Sequence, residues 1–190
     1  MTQYKVQLAD CPPQAWRNGG GQTQALLTWP ATASGYDDWW VRVSVARIST
    51  DGPFSAFPGV QRWFAVVQGA GVALEFADEE VTLTKSSPPL SFDGARAPGC
   101  RLLGGPTQDL NFMVRSEAGP GRMSAAHPGS VLSGPHPWRA LYVAQAALAD
   151  LGQGAEPLPA GTLLWSDART PAPWQVLKAP QAWWLTLEAR

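Results

Sequence analysis

The distribution of apolar and polar positions along the chain predicts strands rather than helices. Short apolar runs alternate with turn-forming residues, and 19 glycines and 18 prolines are spread over the whole length. Such regular punctuation is typical of many short strands joined by turns. The best helical period covers 140–151, and its Leu141–Val143 part fits a strand equally well. The pattern therefore predicts an all-β protein.

Two predicted strands, 39–48 and 109–115, combine an apolar face with a polar one. Because successive side chains of a strand point to opposite faces, the polar positions of each strand share one side. These positions are Arg42, Ser44, Asp109 and Asn111. If they point into a β-barrel they line an internal pocket, and the alternative is that they face solvent.

Composition narrows the function classes. The chain has 190 residues, of which 45% are hydrophobic and 15% charged, so it can bury a sizeable core. The formal net charge is -1 and no basic stripe is present, which argues against nucleic acid. We find neither a signal-peptide pattern nor an apolar run long enough to span a membrane, and expect a cytoplasmic protein. Cys11 and Cys100 lack the spacing of a metal site.

A run of three glycines within 16–23 is the first candidate for chemistry. Glycines allow positive φ and close approach of the backbone, so successive N–H groups at Gly19, Gly20 and Gly21 can form an anion-binding nest. The competing interpretation is a hairpin turn, because Asn18-Gly19 is a strong turn signal. The sequence leaves both interpretations open.

The second candidate is Arg62, at the start of a predicted strand. Two turns within 51–62 bracket Phe54 and Phe57 just before it. A guanidinium held beside aromatic rings is suited to bind a carboxylate. The alternative is an arginine on a solvated face or in an internal ion pair.

Histidines are too few for the usual metal site of a β-barrel. Such a site needs about three His or carboxylate ligands on adjacent strands. His127 and His136 are the only two histidines, and both lie in the Gly/Pro-rich segment 116–137. We therefore predict no metal and no cofactor. No nucleophile motif is present either.

Two short segments are repeated in the same order. Residues 92–98 resemble 165–171 at an offset of 73, and 102–106 resemble 176–180 at an offset of 74. Each match alone arises easily by chance. Together they favour a duplicated β unit.

Several motifs together resemble the HutD/Ves family over about residues 15–115. They are Trp16–Gly21, Arg42–Ala46, Asp51–Arg62, Gly105-Pro106 and Asp109–Met113. The resemblance implies an all-β, cupin-type (RmlC-like jelly-roll) fold with two β-barrel lobes in one chain, a bicupin, without the cupin metal ligands. It also implies a link to histidine utilisation and to binding of a small acid such as N-formylglutamate.

The resemblance also implies a ligand-binding set, in which Arg62 would hold the carboxylate of the ligand. The set comprises Trp16, Asn18, Gly19, Gly20, Gly21, Arg42, Ser44, Arg62, Asp109 and Asn111. One departure is Gln61, where relatives often carry an acid. We expect an N-terminal lobe over 1–115, a connection over 116–137 and a C-terminal lobe over 138–190.

The resulting hypothesis is a non-catalytic protein that binds a small anionic metabolite and regulates histidine utilisation, with a homodimer left open. A second hypothesis is a metal-independent enzyme acting on a small acid, with Asp109 as its general acid or base. A third is a structural β protein without a ligand, with an exposed apolar patch at Trp183 and Trp184.

Overall fold

The computed structural model describes residues 3–31, 39–168 and 172–189, and their regular structure is almost entirely β. Two short 3-10 turns, Leu8–Asp10 and Gly94–Arg96, are the exceptions among these residues. The strands are β1 Tyr4–Gln7, β2 Pro13–Ala15, β3 Gly21–Trp29, β4 Val41–Ile48, β5 Gly52–Pro53, β6 Val60–Gln68, β7 Val72–Glu75, β8 Glu80–Leu83, β9 Leu90–Asp93, β10 Gly99–Leu102, β11 Thr107–Arg115, β12 Gly121–Ala125, β13 Val131–Leu132, β14 Trp138–Val143, β15 Ala147–Asp150, β16 Ala155–Leu158, β17 Thr162–Ser166, β18 Trp174–Lys178 and β19 Ala182–Leu187. The all-β prediction is confirmed.

The chain forms two compact units. The central unit is Cys11–Ala118, and the terminal unit combines the chain up to Asp10 with the chain from Gly119 onward. The first strand joins the terminal unit because β1 pairs antiparallel with β17, Tyr4 lying opposite Trp165. The boundaries expected from sequence, at 115 and 138, left this N-terminal segment with the first lobe. A pairing between strands so far apart in sequence leaves no local pattern.

Each unit contains a larger and a smaller antiparallel sheet. The central unit has the orders β2-β3-β4-β11-β6-β9 and β5-β10-β7-β8. The terminal unit has the orders β1-β17-β14-β19-β12 and β13-β18-β15-β16. Adding eight to each strand number of β4-β11-β6-β9 and β5-β10-β7-β8 gives the terminal orders β12-β19-β14-β17 and β13-β18-β15-β16. Eight consecutive strands of each unit therefore share one topology.

The segment 116–137 contains more structure than expected. We anticipated mostly loop with one short strand at most, and the structure places both β12 and β13 there. His127 and His136 lie outside both strands, as their proline neighbours indicated. Of the repeated sequence segments, 92–98 covers the end of β9 and the 3-10 turn after it, whereas 169–171 lie outside the described residues.

The side chains between the two sheets of each unit form its core. In the central unit this core includes Phe64, Val66, Leu74, Phe92 and Cys100, all buried. The core of the terminal unit includes Leu141, Leu158, Trp174, Val176 and Trp184.

Trp183 and Trp184 do not form an exposed patch. They are 4% and 6% exposed. The hypothesis of an apolar surface there is therefore wrong, because both faces of β19 are covered. Among the described residues, no helix has the length and apolar character needed to cross a membrane.

Candidate functional site

The central unit contains a cavity of about 570 Å³ on the inner face of its six-stranded sheet. The walls come from β4, β6 and β11, from the segment that follows β5, and from the β2–β3 hairpin. Six of the residues implied by the family resemblance line it: Trp16, Asn18, Arg42, Ser44, Arg62 and Asn111. The polar faces of β4 and β11 thus point inward, which decides between the two alternatives left open by the sequence.

Strand register arranges the lining side chains in rows. Met113 of β11 lies opposite Arg42 of β4 on one side and Arg62 of β6 on the other. Two residues away, Asn111 lies opposite Ser44 and Phe64 in the same way. Both arginines therefore sit in one row across three adjacent strands, with a row of hydroxyl, amide and phenyl groups next to it.

Arg62 is held by neutral groups. It is only 6% exposed, and its Nη2 donates a hydrogen bond to Asn111 Oδ1 at 3.0 Å. Its Nη1 makes a longer contact of 3.4 Å with the carbonyl oxygen of Ser55.

Three aromatic rings surround the Arg62 guanidinium. The rings of Phe54, Phe57 and Phe92 have centroids 5.2, 5.5 and 5.1 Å from its central carbon. Backbone hydrogen bonds from Phe54 N to Pro98 O and from Phe57 N to Gly94 O fix the segment that carries two of these rings. The guanidinium is thereby immobilised before any ligand arrives.

The charged residues among the described lining of the cavity are all arginines. Arg17, Arg42 and Arg62 line it, and no Asp or Glu does so among the described residues. Burial, followed by the nearby charge of Arg42, lowers the pKa of Arg62 to about 10, so the side chain stays protonated at neutral pH. Among the described residues Arg62 has no carboxylate partner, and its Nε is buried without an acceptor.

Asp109 lies one row beyond Asn111 and does not line the cavity. It is fully buried, and its Oδ2 accepts a hydrogen bond from Thr107 Oγ1 at 2.6 Å. Its Oδ1 has no hydrogen-bond partner in the part of the chain that the structure describes, and burial raises the pKa of Asp109 to about 7. A general acid or base must reach its substrate, so this position does not favour the enzyme hypothesis.

The glycine run forms the turn between β2 and β3. Gly19 N donates to Trp16 O and Gly20 N to Asn18 Oδ1, both at 3.0 Å. A Cβ on Gly21 would lie 2.4 Å from Arg47 O, so that position has no room for a side chain. The three glycines are not among the lining residues. They shape the hairpin that brings Trp16 and Asn18 to the cavity, which agrees with the turn interpretation.

Two lining residues of chemical interest were absent from the predicted set. Arg17 stands inside the motif that supplied Trp16 and Asn18, and Met113 shares the face of Asn111 by simple alternation. Both signals were present in the sequence, but neither distinguishes a wall residue from an exposed one. Across the described ranges, no group of three or more His, Cys, Asp or Glu side chains is placed to hold a metal ion.

Fold and site together define the class: an all-β protein of cupin-like fold with an arginine-lined cavity. More distant solved structures, with TM-scores of 0.67 and identities of 8–10%, share this fold. At such low identity the likeness is evidence for the fold and not for a function. The family model of HutD matches residues 8–184. The chain belongs to the HutD family, and the predicted family resemblance is confirmed.

Individual relatives agree with this assignment. Protein Ves of Escherichia fergusonii is 32% identical over 105 residues, which is 55% of this chain and 53% of Ves. An uncharacterized 21.2 kDa protein in the hutC 3'region of Pseudomonas putida is 34% identical over 114 residues, 60% of this chain and 59% of that protein. The matched stretch thus spans less than two thirds of these relatives. The structure of HutD from Pseudomonas fluorescens SBW25 (formate condition) superposes with a TM-score of 0.87 at 25% identity over 100% of both chains.

Proposed function

We propose that this protein binds a small organic acid, whose carboxylate occupies the cavity next to Arg62. The observation that carries the proposal is a buried guanidinium without a carboxylate partner, on the wall of a cavity with two further arginines and no acid among its described lining residues. Burying an unpaired charge costs several kcal/mol, so a bound carboxylate would complete an arrangement that is otherwise unfavourable.

Arg62 is already oriented for this role. Its Nη2 is committed to Asn111, whereas Nη1 has only the long contact with Ser55 and Nε has no acceptor among the described residues, so both can donate to a ligand. Ordered aromatic neighbours remove the entropy loss that a mobile arginine would suffer on binding. The planar guanidinium matches the geometry of a carboxylate.

The cavity suits an acid with a carbon skeleton and a second anionic group. Its volume of about 570 Å³ lies within the usual range for small-molecule sites. Exposure rises from Arg62, which is buried, through Arg42, which is half-buried, to Arg17, which is exposed. Trp16 and Phe54 offer apolar contact between these charges. A dicarboxylic acid such as N-formylglutamate has these features.

We extend the proposal to the biological role and to the fold. The HutD family model and the relative in the hutC 3'region support a link to histidine utilisation, in which we propose a non-catalytic, regulatory role. The shared topology of the two eight-stranded sets supports a bicupin made of two jelly rolls that arose by duplication. We place this function in the cytoplasm, without a metal or another cofactor.

Calorimetric titration tests the proposal directly. We expect dicarboxylates of four to six carbons to bind, and their uncharged diamides to give no heat. Replacing Arg62 with Met should abolish binding, whereas Arg101→Met, which removes an exposed arginine outside the cavity, should leave it unchanged. If all tested acids give no heat at millimolar concentration, or if R62M binds them as well as the parent protein, the proposal is wrong.

A further inference from the structure

The topology places a second buried arginine, Arg139, at the place in the terminal unit that Arg62 occupies in the central unit. Strand β14 is the counterpart of β6, and each carries its arginine on the inner face. In β14 the side chains of Leu141 and Val143, at alternate positions from Arg139, belong to the core between the two sheets. Arg139 therefore points into the interior of its unit.

The neighbours of Arg139 repeat the row around Arg62. Thr186 of β19 lies opposite Arg139 of β14 on one side and Arg122 of β12 on the other. In the central unit Met113 lies between Arg62 and Arg42 in the same way. Two arginines flank one central residue in both units, which makes an accidental placement of Arg139 a poor explanation.

The environment of Arg139 contains donors without acceptors. The residue is 1% exposed, and its Nη2 donates to Ala172 O at 2.6 Å. Its Nε and Nη1 are buried and have no partner among the residues that the structure describes. The guanidinium carbon lies 4.0 Å from the ring centroid of Trp174, whose own Nε1 is likewise buried without a partner in the described part of the chain. Three buried nitrogen donors thus lack an acceptor within the described ranges.

No acid compensates the charge among the described residues. Burial alone lowers the pKa of Arg139 to about 10, with no carboxylate contributing. Glu188 follows the neighbouring strand, but its Oε1 accepts a hydrogen bond from Thr186 and its Oε2 lies 3.2 Å from His136 Nδ1. A cation left in this state would be costly, and native proteins rarely leave so many buried donors unsatisfied.

We propose that the Arg139–Trp174 pair holds a small inorganic anion of halide size inside the terminal unit. An anion only accepts hydrogen bonds, and its negative charge would balance the positive charge of the guanidinium. A water molecule would bring two hydrogens of its own into a cluster that offers N–H donors rather than acceptors. The ring centroid of Trp174 lies 4.0 Å from the guanidinium carbon, and Arg139 is 1% exposed, so a small anion fits this position better than a metabolite like the one proposed for the central unit. This inference does not rest on the proposed function.

Bromide provides the probe, because it replaces chloride and scatters anomalously. In crystals of the full chain soaked in sodium bromide, we expect an anomalous peak within hydrogen-bond distance of Arg139 Nη1 or Nε. The peak should persist in Arg62→Met, whose central cavity has lost its own arginine, and should vanish in Arg139→Met. Bromide only at exposed arginines or only beside Arg62 would overturn the proposal.

A solution measurement keeps the test valid if Arg139→Met fails to fold. At equal ionic strength, the Arg62→Met protein should melt at a higher temperature in sodium chloride than in sodium gluconate, because gluconate is too large for the site. Adding Trp174→Phe, which keeps a stacked ring but removes one donor, should shrink this difference. Equal melting temperatures in the two salts would contradict the proposal.

Discussion

The two units of this protein share the order of eight strands, and each has a buried arginine at the equivalent position, but the surroundings of the two arginines differ. In the central unit Arg62 borders an open cavity and is surrounded by phenylalanines from β9 and from the segment after β5. In the terminal unit Arg139 is covered by Trp174, which enters from β18. The counterpart of β18 is β10, whose buried inward residue is Cys100. One topology therefore gives an arginine beside an open cavity or an arginine covered by an aromatic ring, according to the volume of a few inward side chains.

The two units also differ in the strands that each adds to the shared set of eight. The central unit adds the β2–β3 hairpin beside β4, and the terminal unit adds β1 beside β17, which corresponds to β9 at the opposite edge of the sheet. The hairpin contributes Trp16, Arg17, Asn18 and Thr23 to the cavity wall. The proposed binding site thus depends as much on an added edge as on the duplicated strands.

The largest effect is expected from removing Trp174, which tests whether the interiors of the two units are packed differently. Trp174→Ala empties a fully buried position and should reduce the free energy of unfolding by about 3–5 kcal/mol. Cys100→Ala, the change at the inward position of β10, should cost much less because it deletes a single sulfur atom. Urea denaturation of both variants measures the difference. Similar losses would show that the two interiors are packed alike.

Arg62→Met should separate binding from stability. The affinity for a bound dicarboxylate should fall by about 3 kcal/mol, or more than 100-fold, because a desolvated charge pair is lost. The free energy of unfolding without ligand should change little or rise, since an apolar side chain of similar size replaces an unpaired buried charge. Calorimetry and urea denaturation measure the two quantities. A large loss of stability with unchanged affinity would show that Arg62 serves the fold and not ligand binding.

Asp109 gives the central unit a pH dependence that the terminal unit lacks at the corresponding place. The folded-state pKa of about 7 lies above the usual value for Asp, so the folded protein retains a proton that the unfolded chain releases. Stability should therefore fall as pH rises from 5 to 8, by about 2–3 kcal/mol. Asp109→Asn should remove this fall. Parallel pH profiles of parent and variant would contradict the assigned pKa.

The smallest effect is expected at the added hairpin. Gly21→Ala forces a Cβ against Arg47 O and should cost about 1–2 kcal/mol. Because this strain lies at the start of β3, affinity for the acid should also weaken severalfold. Gly52→Ala is the matched control, since the closest atom to its added Cβ would be Asn18 Nδ2 at 3.9 Å. Unchanged stability and affinity in G21A would show that the hairpin can shift to admit the added methyl group, contrary to this prediction.

Local patterns in the sequence established the all-β class, the existence of a polar face on β4 and on β11, and the family, whereas the inward direction of those faces came from the structure. These features follow from alternation and from short motifs, because a strand reveals its two faces over a few residues. Of the predicted site, Arg42, Ser44, Arg62 and Asn111 could be grouped in this way, and all four line the cavity.

The other features could be seen only in the tertiary structure. Asp109 and the glycine run do not line the cavity, β1 belongs to the terminal unit, and Arg139 lies at the place equivalent to Arg62. Each of these outcomes depends on pairing between strands that are distant in sequence, and on the side-chain volume available after that pairing. Neither quantity is encoded in any short stretch of the chain.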